Sequence, residues 1–161
     1  MSKPTEILSA DHKRVLESLK VMEQAIRDLK SPDIKKTLSD LKDFLKNEIE
    51  IHFRKEEEAL FPEIEKFIPR EGGPVGVMLM EHEDLNRYKD SLIKGIDLFL
   101  GDENSAKAPA LIKENGTSYI NLLREHIYKE DNMLFMMADM HLEDDQIKEV
   151  MRKFVELDNG K

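Results

Sequence analysis

Two histidines in the sequence are each followed, four residues later, by a glutamate: His52 by Glu56, and His126 by Glu130. On an α-helix this spacing places both side chains on one face, about 6 Å apart along the helix axis. An imidazole and a carboxylate directed at one point form half of a metal site. Two such halves in one chain predict helices that bring them together around two metal ions.

The two histidine–glutamate pairs belong to a longer internal repeat. The matching residues include a lysine, a second acid and a Leu-Phe pair: Lys55, Glu57, Leu60 and Phe61 in one copy, and Lys129, Asp131, Leu134 and Phe135 in the other. Two further histidines also match, each after an acidic residue. His12 lies 40 residues before His52, and His82 lies 44 residues before His126. The pattern indicates a duplicated helix pair around a two-metal centre.

The composition and length favour a single all-α domain over residues 1–161. Charged residues make up 37% of the chain and hydrophobic residues 40%, with only seven glycines and six prolines, a balance typical of amphipathic helices. Apolar residues recur at steps of three and four along four long segments, which predicts a four-helix bundle. Its core is expected at about residues 4–141, and a short charged helix at about 143–157 should pack across it.

Each of the four predicted bundle helices carries one histidine on its apolar seam. The break at Glu71–Pro74 divides the two halves of the repeat, and Pro62 should kink or end the second helix. Glu56 and Glu130 also fall on the seams, although a buried carboxylate is costly unless it is paired or bound to metal. Two inward carboxylates facing four imidazoles therefore favour a metal site. Each metal ion would take two histidines and share both glutamates.

Several classes of function are disfavoured by charge and composition. The net charge of −9 and the isoelectric point near 5.1 oppose binding to nucleic acid or to an anionic membrane. The absence of cysteine excludes thiolate sites and iron–sulfur clusters. No signal peptide or membrane-spanning run is evident, so we expect a cytoplasmic protein.

The donor types narrow the choice of metal without fixing it. Nitrogen and oxygen ligands suit iron, manganese or zinc. A structural zinc ion needs four ligands where six are available, and haem bound by histidines would leave both glutamates without a role. The Glu-x-x-His motif of ferritin-like bundles is missing, because Ser9, Ile49, Leu79 and Leu123 stand three residues before the seam histidines.

The remaining candidates are given structural roles. His141 lies beyond the repeat and should be a surface or helix-end residue. Asp11 and Glu81 either orient a neighbouring imidazole or are solvated, and Glu57, Glu58 and Asp131 belong to a solvated face or support the ligands from behind. The methionines at 133, 136, 137 and 140 are interpreted as adaptable core filler.

The order His12, His52-x-x-x-Glu56, His82, His126-x-x-x-Glu130 resembles the hemerythrin-like family, including its HHE cation-binding domains. The resemblance covers about residues 8–137. It implies an up-and-down four-helix bundle that holds two iron ions, joined by the carboxylates and by an oxo or hydroxo bridge. Manganese and zinc are possible substitutes for the iron.

The match to the oxygen-carrying members is incomplete at one position and ambiguous at a second. Their third helix bears HxxxH, whereas Asn86 stands four residues after His82; their fourth bears HxxxxD, which Asp131 would satisfy. The internal repeat favours Glu130 over Asp131 as the shared ligand. The pattern is more similar to the branch that includes proteins for the repair of iron centres, which is associated with nitric oxide, peroxide and iron chemistry.

The resemblance therefore implies a non-haem di-iron protein that binds or reduces a small molecule such as O2, NO or peroxide. A redox partner protein is a possible further partner. The alternative, also open at this point, is a non-catalytic module that stores iron or senses oxygen or redox state through a partner. Whether the protein is an enzyme is left undecided by the sequence.

Overall fold

A computed structural model describes residues 3–160, which form five helices and contain no β-strand. We number the continuous helices in chain order. Their bounds are α1 Pro4–Arg27, α2 Ile34–Ile64, α3 Pro74–Gly101, α4 Ala108–His141 and α5 Asp144–Asn159. Consecutive bundle helices pack as neighbours, and α4 returns to α1. The predicted all-α fold, a four-helix bundle with an additional C-terminal helix, is confirmed.

Prolines begin three of the long helices. Pro4, Pro74 and Pro109 stand in the first turns of α1, α3 and α4, where a missing N–H group costs nothing. The first helix ends at Arg27, because Asp28 leaves helical geometry at φ −139° and ψ 78°. The predicted break before α3 contains Gly72, whose φ of +71° favours glycine over any other residue.

The second and fourth helices are not uniformly α-helical. Within α2, π-helical segments occupy Phe44–Glu48 and Lys55–Leu60; within α4, one occupies Glu130–Leu134. A π-helical turn accommodates one extra residue. The second segment of α2 and the segment of α4 contain Glu56 and Glu130, so the internal repeat extends to the backbone conformation.

The core is divided into two apolar clusters that flank the layer of histidines. In the larger cluster, two glycines permit close helix contact. A Cβ atom on Gly95 would lie 2.8 Å from the Leu111 Cβ, and one on Gly116 would overlap the Ile26 side chain. At Gly116 the Ile26 side chain of α1 therefore packs directly against the backbone of α4.

The C-terminal helix covers the first copy of the repeat. Val150 and Phe154 are buried in the smaller cluster with Ala59 and Leu60 of α2. Glu143 and Gln146 form a capping box at the start of α5. The side chain of each residue accepts a hydrogen bond from the backbone N–H of the other. Within residues 3–160, every helix is too short or too polar to cross a membrane.

Candidate metal centre

The structure brings all six predicted ligands together between the two apolar clusters. One histidine comes from α1 and one from α3, while α2 and α4 each contribute a histidine and a glutamate. All six side chains are at least 95% buried; they are His12, His52, Glu56, His82, His126 and Glu130. Their donor atoms form two overlapping groups, each with two histidines and both glutamates, and the atoms of each group lie within 4.8 Å of one another.

The imidazoles face each other in pairs. The Nε2 atoms of His12 and His52 are 3.1 Å apart, and so are those of His82 and His126. Each pair joins one histidine from an HxxxE motif to the lone histidine that precedes it in the chain. The 40- and 44-residue separations in the sequence thus correspond to two pairs of consecutive helices, α1 with α2 and α3 with α4, whose histidines meet. The duplication predicted this pairing.

Each glutamate reaches one histidine of both pairs. The Glu130 Oε1 lies 3.1 Å from the His12 Nε2 and 3.3 Å from the His126 Nε2. The Glu56 Oε1 lies 3.1 Å from the His82 Nε2, and its Oε2 lies 3.5 Å from the His52 Nε2. Both carboxylates are therefore placed between the halves, as the shared ligands of a two-metal site must be.

Four carboxylates outside the cluster fix the orientation of the imidazoles. Each Nδ1–H donates to one of them: His12 to Asp131 at 2.8 Å, His52 to Asp11 at 3.2 Å, His82 to Glu57 at 2.8 Å, and His126 to Glu81 at 2.9 Å. An Nδ1–H bond to a carboxylate directs the Nε2 lone pair at the opposite side of the ring. All four lone pairs consequently point into the cluster.

These outer carboxylates follow the repeat and are themselves held in place. Asp11 and Glu81, which precede the lone histidines, each support the HxxxE histidine of the same half, which is one of the two roles that the sequence left open. Asp131 also accepts a hydrogen bond from the Ser9 hydroxyl at 2.7 Å, and Glu81 pairs with Lys129. Glu58 lies apart from the cluster and pairs with Arg54.

The polar groups at the centre of the cluster are suited to binding a cation. Both carboxylate oxygens of Glu56 and of Glu130 are buried without a hydrogen-bond partner among residues 3–160. Burying such groups unpaired costs several kcal/mol, while four imidazole lone pairs converge on the same space. Nitrogen and oxygen donors of this kind fit iron, manganese or zinc, so the residues suit the predicted metal.

Without metal, protons must take the place of the cation. Burial alone would lower the pKa of His52, but the Glu56 carboxylate and the bond to Asp11 outweigh it and raise that pKa to about 10. The pKa of His126 is raised to about 10 as well, against burial, by Glu130. Burial would raise the pKa of Glu56, but the charge on His52 holds it well below its usual range.

Aromatic rings shield the cluster. Phe53 stacks on the His82 ring with centroids 3.9 Å apart and an angle of 11°. Phe61 lies 5.9 Å from the same ring, and its counterpart in the repeat, Phe135, stacks on His12 at 5.5 Å. These contacts fix the ring planes and exclude water from the imidazole faces.

Two other predicted assignments can be placed. His141 stands outside the cluster, at the end of α4, with its ring 4.9 Å from that of Phe67. Asn86 is half-buried one turn after His82, and its effect on the site remains a prediction. The four methionines are not core filler: Met133, Met136 and Met140 are exposed, and Met137 is only half-buried.

Comparison with known proteins identifies the family. The hemerythrin HHE cation binding domain matches residues 3–138. The iron-sulfur cluster repair protein YtfE of Dickeya chrysanthemi is 29% identical over 102 residues, which cover 63% of this chain and 46% of that protein. The YtfE protein of Salmonella schwarzengrund is 32% identical over 109 residues, 66% of this chain and 49% of its own length. The chain thus spans about half the length of these relatives. It belongs to the hemerythrin HHE cation-binding family, as its histidine and glutamate pattern predicted.

Proposed function

We propose that the six-residue cluster holds two iron ions and that the protein binds or reduces a small molecule such as O2, NO or peroxide there. His12 and His52 would hold one ion and His82 and His126 the other. Glu56 and Glu130 would be shared between the ions, together with an oxo or hydroxo bridge. The observation that carries the proposal is the convergence of four imidazole lone pairs on two buried carboxylates without hydrogen-bond partners.

Bound iron would supply electron transfer and open coordination positions. The protein itself would orient the imidazole ligands and control how a small molecule reaches the metal ions. The four Nδ1–H bonds keep each imidazole oriented toward the centre, so ligand exchange need not rotate the rings. With only two histidines for each ion, a bridge and a small exogenous ligand could be accommodated.

One surface cavity borders the outer side of the cluster at His52. It has a volume of about 270 Å³ and borders His52 and its supporting acid Asp11; Lys55 and Asp158 line its wall. The Lys55 Nζ pairs with Asp158 of α5 at 2.9 Å. We propose this cavity as the side from which a diatomic or peroxide ligand approaches, because one of the six predicted ligands, His52, lies in its wall.

Two further roles follow from the same site. A non-catalytic module would store iron or sense oxygen or redox state through a partner protein. The relatives' name, iron-sulfur cluster repair protein, favours a role in iron-centre repair, in which iron held by the cluster would pass to a damaged centre. Reduction of a small molecule would require electrons from a redox partner. In each case we expect the protein to act in the cytoplasm.

Anaerobic reconstitution with ferrous iron tests these proposals. Metal analysis should give two irons for each chain, and a chain that retains one or none would refute the two-metal site. Optical and Mössbauer spectra before and after O2, NO or peroxide should then change with the physiological ligand. Steady consumption of NO or peroxide with a chemical reductant would support catalysis. Two bound irons without turnover, but with transfer to an iron-depleted acceptor, would support repair or storage.

A further inference from the structure

The last turn of α5 is attached to the bundle differently from the rest of that helix. Val150 and Phe154 are buried in the core, and Phe154 is the last buried residue of α5. Residues 155–159 follow without a buried side chain, and among them only Leu157 is half-buried. This segment, which we call the end turn, can therefore move while the apolar core stays intact.

One ion pair joins the end turn to another helix. The Lys55 Nζ of α2 lies 2.9 Å from the Asp158 carboxylate and 5.7 Å from the centre of the Phe154 ring. Within residues 3–160, no other ion pair or side-chain hydrogen bond links the end turn to another helix. Lys55 is only 7% exposed, and a buried ammonium group is costly without a partner. The Lys55–Asp158 pair therefore holds the end turn in place.

The internal repeat shows that Lys55 has an alternative partner. In the second copy, the lysine equivalent to Lys55 pairs with Glu81, an acid that supports a histidine of the cluster. The corresponding acid in the first copy is Asp11, which pairs with Arg14 on its own helix. Asp11 and Lys55 border the same cavity. If Asp158 withdraws, Lys55 can turn to Asp11, so opening of the end turn does not leave the ammonium group unpaired.

We propose that the end turn is a lid over the cavity at His52 and that the Lys55–Asp158 pair is its latch. This inference rests on the proposed function, in which a small molecule approaches the metal ions from this cavity. Asp158 forms part of the cavity wall together with His52 and Val15, so displacement of the end turn removes that part of the wall. The closed lid restricts access to the first histidine pair, and the open lid admits a small molecule.

Thiol modification measures the lid directly, because the chain contains no cysteine. Val15 lies in the cavity wall and is 4% exposed, so Val15→Cys introduces a single shielded thiol. Its reaction with iodoacetamide, followed by mass spectrometry, should be slower than that of Val21→Cys, which replaces a residue of the same helix that is 46% exposed. Adding Asp158→Asn to Val15→Cys should increase the rate at least about threefold, because the rate follows the open fraction and the latch is lost.

Three variants distinguish the latch from a general loosening of α5. Asp158→Glu retains the carboxylate and should keep the thiol rate low. Glu156→Gln removes an acid of the same turn that pairs with Arg152 within α5, and it should leave the rate unchanged. In a Lys55→Met background the rate should already be raised, and Asp158→Asn should raise it no further, because the pair is lost with either partner. Circular dichroism verifies that each variant is folded.

Iron removal connects the lid to the metal centre. From iron-loaded protein of equal initial iron content, bipyridine should remove iron at least about threefold faster from Asp158→Asn than from Glu156→Gln. An unchanged thiol rate in Asp158→Asn, or the same increase repeated in the Lys55→Met background, would overturn the latch. A faster thiol reaction without faster iron removal would overturn the lid as the barrier to the site. The thiol assay needs no metal, so a chain that binds no iron would refute the proposed function, while the thiol rates alone would still support or overturn the lid.

Discussion

Glu130 and Asp131 are adjacent carboxylates with different expected roles, and separate alanine substitutions distinguish them. The Glu130 Oε1 lies within 3.3 Å of histidines from both halves. Asp131 contacts one imidazole only, at the Nδ1 of His12, and lies outside the cluster. Glu130→Ala should therefore damage the binding of both ions, while Asp131→Ala should loosen the orientation of one ligand.

The expected sizes follow from linkage between metal binding and folding. At free metal a thousandfold above its dissociation constant, binding stabilises the folded chain by about 4 kcal/mol. Loss of a group that orients a histidine ligand weakens binding about 10- to 100-fold. At the same free metal, the stabilisation in Asp131→Ala would fall to about 2.7 or about 1.4 kcal/mol. For a chain of this length that is a loss of roughly 3 to 11 °C in Tm. Glu130→Ala should lose nearly all of the metal-dependent increase in Tm.

Calorimetry with and without ferrous iron at a fixed free concentration measures these increments, and metal analysis gives the stoichiometry. Glu58→Ala is the matched control, because that exposed carboxylate pairs with Arg54 and not with an imidazole. Its metal-dependent increase in Tm should equal that of the unmodified protein. If Asp131→Ala abolishes binding of both ions and Glu130→Ala retains two, the assignment of Glu130 as the shared ligand is wrong.

Four further predictions concern His141, the metal-free centre, Gly95 and Asn86. His141→Ala should change neither metal content nor Tm, since the ring lies outside the cluster; a loss of either would show a missed ligand. The metal-free protein should lose unfolding free energy as pH rises from about 6.5 to 10, because the pKa of His52 is raised from 6.5 to about 10 and a raised pKa stabilises only the protonated state; a flat profile in urea titrations would contradict this. Gly95→Ala should cost about 1–3 kcal/mol through overlap with α4, whereas Gly101→Ala, with no atom within 4 Å, should cost nothing. Asn86→His should slow irreversible oxidation of the di-ferrous protein by O2, followed by stopped-flow absorbance; a long-lived reversible adduct in the unmodified protein would favour oxygen carriage instead.

The position of the cluster could be predicted from sequence because its ligands occupy seam positions. A polar residue at a seam, such as His12 or His82, is informative, since the apolar neighbours at steps of three and four already define the buried side. The internal repeat also indicated which two histidines would form each pair. Together these features were enough to place six residues in one layer without any coordinates.

The environment of residues beside the seam could not be predicted in the same way. Glu57 and Asp131 follow the two shared glutamates, and the sequence left open whether they were solvated or supported the ligands. Their contacts with His82 and His12 depend on neighbouring helices, and hydropathy contains no information about them. The methionines were misassigned for a related reason: Ala59 and Met133 hold the same place in the repeat, yet only Ala59 lies beneath α5.

The π-helical turns explain how one helix face can carry both the ligands and the core residues beyond them. In a regular α-helix, residues four apart differ by about 40° around the axis, so His52, Glu56 and Leu60 would drift steadily away from the centre. The π segment Lys55–Leu60 rotates less for each residue and offsets that drift after Glu56. Leu60 and Phe61 are both fully buried as a result. The second copy has the same turn at Glu130–Leu134, although its outer surface is exposed where the first is covered. Because the covering differs and the turn does not, the shared requirement for an inward glutamate accounts for the turn better than packing against α5.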